Sequence, residues 1–348
     1  MKQTIKKHSS GKTSERTYSV AVVATMSAGK STLLNAMIGR SLLPTSCLAC
    51  TSSIFSIVDV DGASDFEVRS NTRGRAKWIH VDKATLAAMN SSARSTIELR
   101  GDLPGIANLR RENVRVRFID TPGPNNSEDI AHGTLLYKAL SGFDYSAIVF
   151  VLNAASLHNT EELEALRQVK KFVDRRKGTV EVVFALNRMD AFFCGGECNK
   201  SLSDVVVGTR KFLLEKVGFD NASVIPSWAI LSLRCRQLLN DMAYASTLDE
   251  DDEDDLIFAI RKLHSHQGEI EKAGKSFSGH IRLGKSRLGK AASRITLPNS
   301  CKSISCDELI FADSLSGIPA LEKWIEGKMK HHFSSTGYIK KSAKPKRR

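Results

Sequence analysis

Apolar residues in this chain fall into short continuous runs, and segments of helical period lie between them. Residues 18–23 (YSVAVV), 147–152 (AIVFVL) and 180–186 (VEVVFAL) are unbroken or nearly so and rich in β-branched side chains. Such runs predict strands with both faces covered, as in a parallel sheet. Residues 114–119 (VRVRFI) alternate as a strand does, and 222–226 predict a further short strand. Residues 31–39 read as a helix with Leu33, Leu34 and Met37 on one face. Asn159 with Glu162, and Ser201 with Asp204, are capping pairs that predict helices through Phe172 and Lys216. This alternation of strand and helix predicts a doubly wound, mostly parallel α/β sheet flanked by helices.

Elsewhere the pattern is weaker. Residues 41–64 read as loop with a β-prone piece at 54–60, and residues 1–16 as a polar, flexible, basic N-terminus. The acidic run 249–255 (DEDDEDD) reads as a solvated loop or helix start. Residues 260–290 are polar, basic and helical in parts. Residues 319–330 (PALEKWIEGKMK) predict a closing amphipathic helix, with 331–348 a flexible basic tail. No internal repeat is visible.

Composition narrows this picture. Apolar content of 41% and charged content of 26% over 348 residues fit a soluble globular chain with a sizeable core. No apolar run approaches the length that spans a bilayer. The basic N-terminus lacks an apolar secretory core, so the expected location is cytoplasmic. Seven cysteines, an odd number, read there as reduced thiols. The net charge of +13 attracts polyanions without choosing among nucleic acid, an anionic membrane surface and acidic proteins.

Three motifs carry candidate chemistry, each at a predicted strand end. ATMSAGKST (24–32) lies between a strand and a helix. Gly29 permits close backbone approach to phosphate, Lys30 offers a cation to the β and γ phosphates, and Ser31 offers a hydroxyl to Mg²⁺. Ala24 stands where such loops usually have their first glycine. Asp120-Thr121-Pro122-Gly123 follows VRVRFI: the aspartate suits Mg²⁺ through water, and the Gly123 N–H suits a γ-phosphate. Asn187-Arg188-Met189-Asp190 follows VEVVFAL. There Asp190 can accept from guanine N1–H and N2–H₂, Asn187 can fix the loop, and Arg188 can lie on the ring. A threonine should close over the metal and γ-phosphate. Thr45 and Thr51 are both placed for this, with Thr51 favoured.

The run 21–57 resembles the dynamin superfamily, bacterial dynamin-like proteins above all. The residues that carry the resemblance are Ser27-Ala28-Gly29-Lys30-Ser31, the helix to Gly39, Leu43-Pro44-Thr45 and Cys50-Thr51, with DTPGPNNSED (120–129) downstream. The resemblance covers roughly 18–230, plus 316–326 (SGIPALEKWIE). It implies a P-loop NTPase (GTPase) domain over 17–330 with extra C-terminal helices and an acidic and basic insertion at about 245–300. By the same resemblance Ser27, Ala28, Gly29, Lys30, Ser31, Thr32, Asp120, Asn187, Arg188 and Asp190 bind nucleotide. Ser31, Thr51 and Asp120 hold Mg²⁺, and Lys30, Ser31, Thr51 and Gly123 act in GTP hydrolysis.

The resemblance further implies a homodimer through the GTPase domains or a second dynamin-like chain, and peripheral action at membranes. Met26 stands where animal dynamins have a water-positioning glutamine, and Pro124 follows Gly123. Slow basal turnover, raised by self-association, is therefore expected. Pro226-Ser227-Trp228-Ala229 only loosely matches the family's second guanine-contacting element. Little chain follows Lys330, so the expectation is a GTPase domain without a stalk, natural or cut short. The competing reading is a GTP-dependent switch that binds nucleic acid, the ribosome or a protein partner, the first two drawing on Arg282, Lys285, Arg287, Lys290 and Arg294. No interleaved aromatics accompany these residues, so nucleic acid is the weaker alternative. Cys47/Cys50 and Cys194/Cys198 have zinc-like spacing but lie in presumed loops and are not read as a metal site. The histidines at 158, 264, 266, 331 and 332 are expected to face solvent. Residues 281–295, though amphipathic, read as packed or solvated rather than membrane-bound.

Overall fold

The computed structural model describes residues 16–25, 27–45, 54–70, 77–92, 96–109, 113–121, 136–137, 140–157, 159–193, 201–275 and 294–335. From the N-terminus run β1 (Arg16–Ala24), α1 (Lys30–Ile38), β2 (Ile54–Asp59), β3 (Glu67–Ser70), β4 (Ile79–His80), α2 (Lys83–Ser92), β5 (Thr96–Gly101) and β6 (Val114–Asp120). Then come β7 (Ala147–Asn153), α3 (Thr160–Arg175), β8 (Glu181–Asn187), α4 (Leu202–Phe212), β9 (Ser223–Ser227) and α5 (Ala229–Asn240). The chain closes with α6 (Glu250–Lys275), a small hairpin of β10 (Arg294–Thr296) and β11 (Ser303–Ser305), α7 (Cys306–Leu315) and α8 (Ile318–Ser335).

Nine strands form one sheet in the order β4-β3-β5-β2-β6-β1-β7-β8-β9. The run β6-β1-β7-β8-β9 is parallel, as the continuous apolar segments predict, and β7 is buried at every position. β2 turns antiparallel against β6, Phe55 pairing with Asp120, and β3 and β4 extend that wing. The apolar core covers both sheet faces and takes in Leu33, Leu34 and Met37 of α1 and Trp324, Ile325, Met329 and Phe333 of α8. A second apolar cluster, built from α5, α6 and α7, lies under Trp228 and Phe193.

Several expectations are refined here. The wing from β3 to β5, with α2, has no counterpart in the sequence reading, because its strands are short and polar. The acidic run is the first turn of α6, where negative charge meets the positive end of the helix dipole. It is not wholly solvated: Glu253 is buried and accepts the N–H groups of Asn299 (3.0 Å) and Ser300 (2.6 Å). The closing helix runs to Ser335 with Phe333 buried, so residues 331–335, assigned to a flexible tail, belong to the helix. His264 does face solvent, stacked on Phe311, but His266 packs on Phe193 and His332 on Tyr18. His158 and the cysteines 47, 50, 194 and 198 lie outside the described residues, as do residues 281–293 of the amphipathic stretch. Ile295 of that stretch is buried in the hairpin.

Candidate functional site

The carboxyl ends of β1, β6, β7, β8 and β9 lie along one edge of the sheet. Val22 pairs with Asp120 on one side and Val149 on the other, and Asn153, Asn187 and Ser227 are in register. Ligands of open α/β sheets bind at this edge.

β1 ends at Ala24, a buried strand residue paired with Val151, so the alanine at the usual glycine position is absorbed by the sheet. The chain then turns through Ser27 (φ 62°), Ala28 and Gly29 (φ 88°), and α1 starts at Lys30. No side chain caps α1 and no acidic residue lies in its first turn. Its positive end is thus left for an anion. The Lys30 ammonium lies against the Asp120 carboxylate, which is 2% exposed. Thr121 anchors the same strand end, its hydroxyl donating to the Val22 carbonyl at 2.8 Å. The first two motifs therefore meet.

Asn187 joins the third motif to the first. Its amide donates to the Ala28 carbonyl at 2.9 Å, and its oxygen accepts from the Ala229 N–H at 3.1 Å. Asn187 is buried, so the phosphate loop and the start of α5 are held at fixed spacing by one side chain. Arg188 follows in a left-handed conformation (φ 65°) and is exposed, with Asp190 half-buried behind it. Burial pushes the Asp190 carboxyl above its ordinary range. The Arg188 guanidinium offsets part of this and Asp255 adds to it. A partly buried acid short of cations is suited to accept paired N–H donors.

Between these groups opens a cleft of about 360 Å³ lined by Gly29, Thr32, Ala155, Asn187, Arg188, Asp190, Ala191, Trp228, Ala229 and Ile230. One cleft thus runs from the phosphate loop to the Asp190 carboxylate. Trp228, Ala229 and Ile230 occupy the place of the loosely matched second base element. The Trp228 ring packs on Phe193, and the main-chain N–H of Trp228 donates to the Ser316 carbonyl at 2.7 Å. Thr45 is exposed. Thr51, Gly123, Met26 and Pro124 lie outside the described residues.

The sequence profile of the dynamin family matches residues 20–186. The chain carries a dynamin-superfamily GTPase domain. Its fold is that of a P-loop GTPase domain. None of the curated protein sequences matches it. Among solved structures, a bacterial dynamin pair described as sensing and tethering membranes is similar at 14% identity and a TM-score of 0.45. That match covers 75% of this chain and 40% of the bacterial dynamin, so the chain spans well under half of that relative's length. Aquifex aeolicus Era bound to GDP and aluminium fluoride is similar at 14% identity and a TM-score of 0.33, over 62% of this chain and 52% of Era. The G domain of the T. maritima FeoB iron transporter is similar at 13% identity and a TM-score of 0.30, over 62% and 89%. Among the described residues of the dynamin-like chain, no helix is long and apolar enough to cross a membrane.

Sequence reasoning missed the buried support of this site. Arg236 on α5 is 2% exposed and pairs with Asp313 (3.0 Å) and Glu322 (2.6 Å) while donating to the Ala36 carbonyl of α1 at 3.0 Å. These partners are far apart in sequence and form no local motif. Burial raises the Glu322 carboxyl, and Arg236 offsets this.

Proposed function

We propose that this chain binds GTP at the cleft between the phosphate loop and Asp190 and hydrolyses it. The observation that carries the reading is the Asn187 bridge, with the Lys30–Asp120 contact beside it: the phosphate loop touches both of the other motifs, and residues of the first and third line one cleft. Lys30 and the open N-terminus of α1 would bind the phosphates. Asp190 would accept from guanine, Arg188 and Trp228 would flank the base, and Ser27 and Thr32 would lie along the phosphates. The oxygen donors Ser31 and Asp120, with Thr51, suit Mg²⁺, a hard cation. When bound, it would neutralise charge on the β and γ phosphates. The backbone groups of Thr51 and Gly123 would orient the attacking water.

G-domain pairing and action at a membrane surface are parts of this reading that rest on family membership. With no polar side chain assigned to water positioning, turnover should be slow in isolation and rise as copies associate. The test is binding and turnover of GTP and ATP across the micromolar protein range, with and without anionic vesicles. GTP preferred over ATP, with specific activity rising with concentration, is expected. Lys30→Ala should abolish GTP binding while leaving the circular dichroism unchanged. A Lys30→Ala protein that binds GTP as the parent does overturns the site.

A further inference from the structure

At the far end of β2, roughly 13 Å along the strand from the nucleotide edge, three carboxylates converge. Asp59 ends β2, Asp61 sits in the turn after it, and Asp102 follows β5; one oxygen of each lies within 4.8 Å of the others. Asp59 is fully buried. One of its oxygens accepts the Leu103 N–H at 2.9 Å; the other, Oδ2, is buried with no hydrogen-bond donor. Asn108 Nδ2 donates to Asp61 Oδ1 at 3.1 Å and to the Asp59 main-chain carbonyl at 3.4 Å. A buried carboxylate that keeps one oxygen without a donor, in a group of three carboxylates, is costly in its charged form, and a bound cation offsets that cost.

We propose that Asp59, Asp61 and Asp102 form a binding site for a hard divalent cation of the calcium type, separate from the nucleotide cleft. The donors are all oxygen, which excludes the soft, thiolate-seeking metals. Ligand atoms this far apart fit around one ion with bonds of about 2.3–2.6 Å, and two of the three ride on turns that can adjust to irregular coordination. Asp61 and Asn108 also line a cleft of about 300 Å³, which gives the ion a way in and room for water ligands. The bound ion would tie the end of β2 to the connection leaving β5. That connection is fastened to α8, where the Ala107 N–H donates to Glu326 at 2.7 Å. Occupancy would therefore stiffen the wing of the sheet from the side away from the nucleotide.

The test is calorimetric titration of the nucleotide-free full chain with Ca²⁺ and, separately, with Mg²⁺, alongside melting curves. One Ca²⁺ per chain is expected, bound more tightly than Mg²⁺ and raising the melting temperature. Asp61→Asn and Asp102→Asn should each weaken binding about tenfold or more. Ser31→Ala, at the nucleotide cleft, should leave it unchanged. If the amide variants fail to fold, Asp102→Glu keeps the charge but moves the oxygen and must also lower affinity. No saturable Ca²⁺ binding at millimolar concentration overturns the proposal. So does affinity that survives these substitutions, falls with Ser31→Ala, or favours Mg²⁺.

Discussion

Gly29 is the tightest point of the nucleotide cleft, and the cost of filling it can be worked from the structure. At φ 88° a side chain is already strained, by about 1–2 kcal/mol for alanine. The new Cβ would stand 2.4 Å from Asn187 Nδ2. That amide is the far end of a side chain, but not a loose one, because it holds Ala28 and its oxygen holds Ala229. Turning Asn187 aside strands a buried carbonyl and a buried N–H, at about 1–3 kcal/mol each. Gly29→Ala should therefore cost about 3–8 kcal/mol, and Asn187→Ala alone about 2–6 kcal/mol, since it strands the same two groups without the strain. In the double variant the bridge is lost only once, so its cost should fall short of the sum by about 2 kcal/mol. Urea unfolding of the nucleotide-free proteins, followed by circular dichroism, gives all three numbers. A Gly29→Ala cost below about 1 kcal/mol, or a cycle additive to within about 0.5 kcal/mol, would refute the bridge as the element that spaces the two loops.

Asp190→Asn should cut the preference for GTP over ATP by roughly tenfold to a hundredfold in competition binding, since bonds to a charged acceptor are worth about 1.5–3 kcal/mol. Arg236→Leu leaves Asp313 and Glu322 buried without their cation and should cost about 3–5 kcal/mol in denaturant unfolding. Glu308 is held below the usual carboxylate range by the Ser305 N–H and hydroxyl, its capping partners. A depressed folded value means that its contribution is complete above the unfolded value of about 4.3 and disappears as pH falls through the folded one. Glu308→Gln should accordingly lower the unfolding midpoint at neutral pH and converge with the parent as pH falls below the folded value.

What could be read from the chain alone follows from where information is local. The runs ending at Leu152 and Leu186 show themselves because strands covered on both faces leave no polar positions to break the pattern. The phosphate loop is contiguous, so Lys30 and Gly29 can be named before any fold is known. Trp228 could not be placed: that it lines the cleft depends on the docking of its main-chain N–H on Ser316. The strands β3 and β4 escape notice because an edge wing has one wet face, and both residues of β4 are exposed. Arg236 reads as one more basic residue until the fold brings Asp313 and Glu322, 77 and 86 positions away, to its two sides. Glu253 hides inside an acidic run for the same reason: its donors come from the distant Asn299 and Ser300.

The corner between α7 and α8 backs the Asp190 and Trp228 end of the cleft. Gly317 turns there at φ 81°, and even a methyl group on it would sit 1.9 Å from the Pro226 carbonyl oxygen. The C-terminal helices are thus a rear wall for the base-side loop rather than an annex to the sheet. Whatever grips or pulls on those helices from outside has a short mechanical route to Trp228, and whatever fills the cleft against Trp228 pushes back along it.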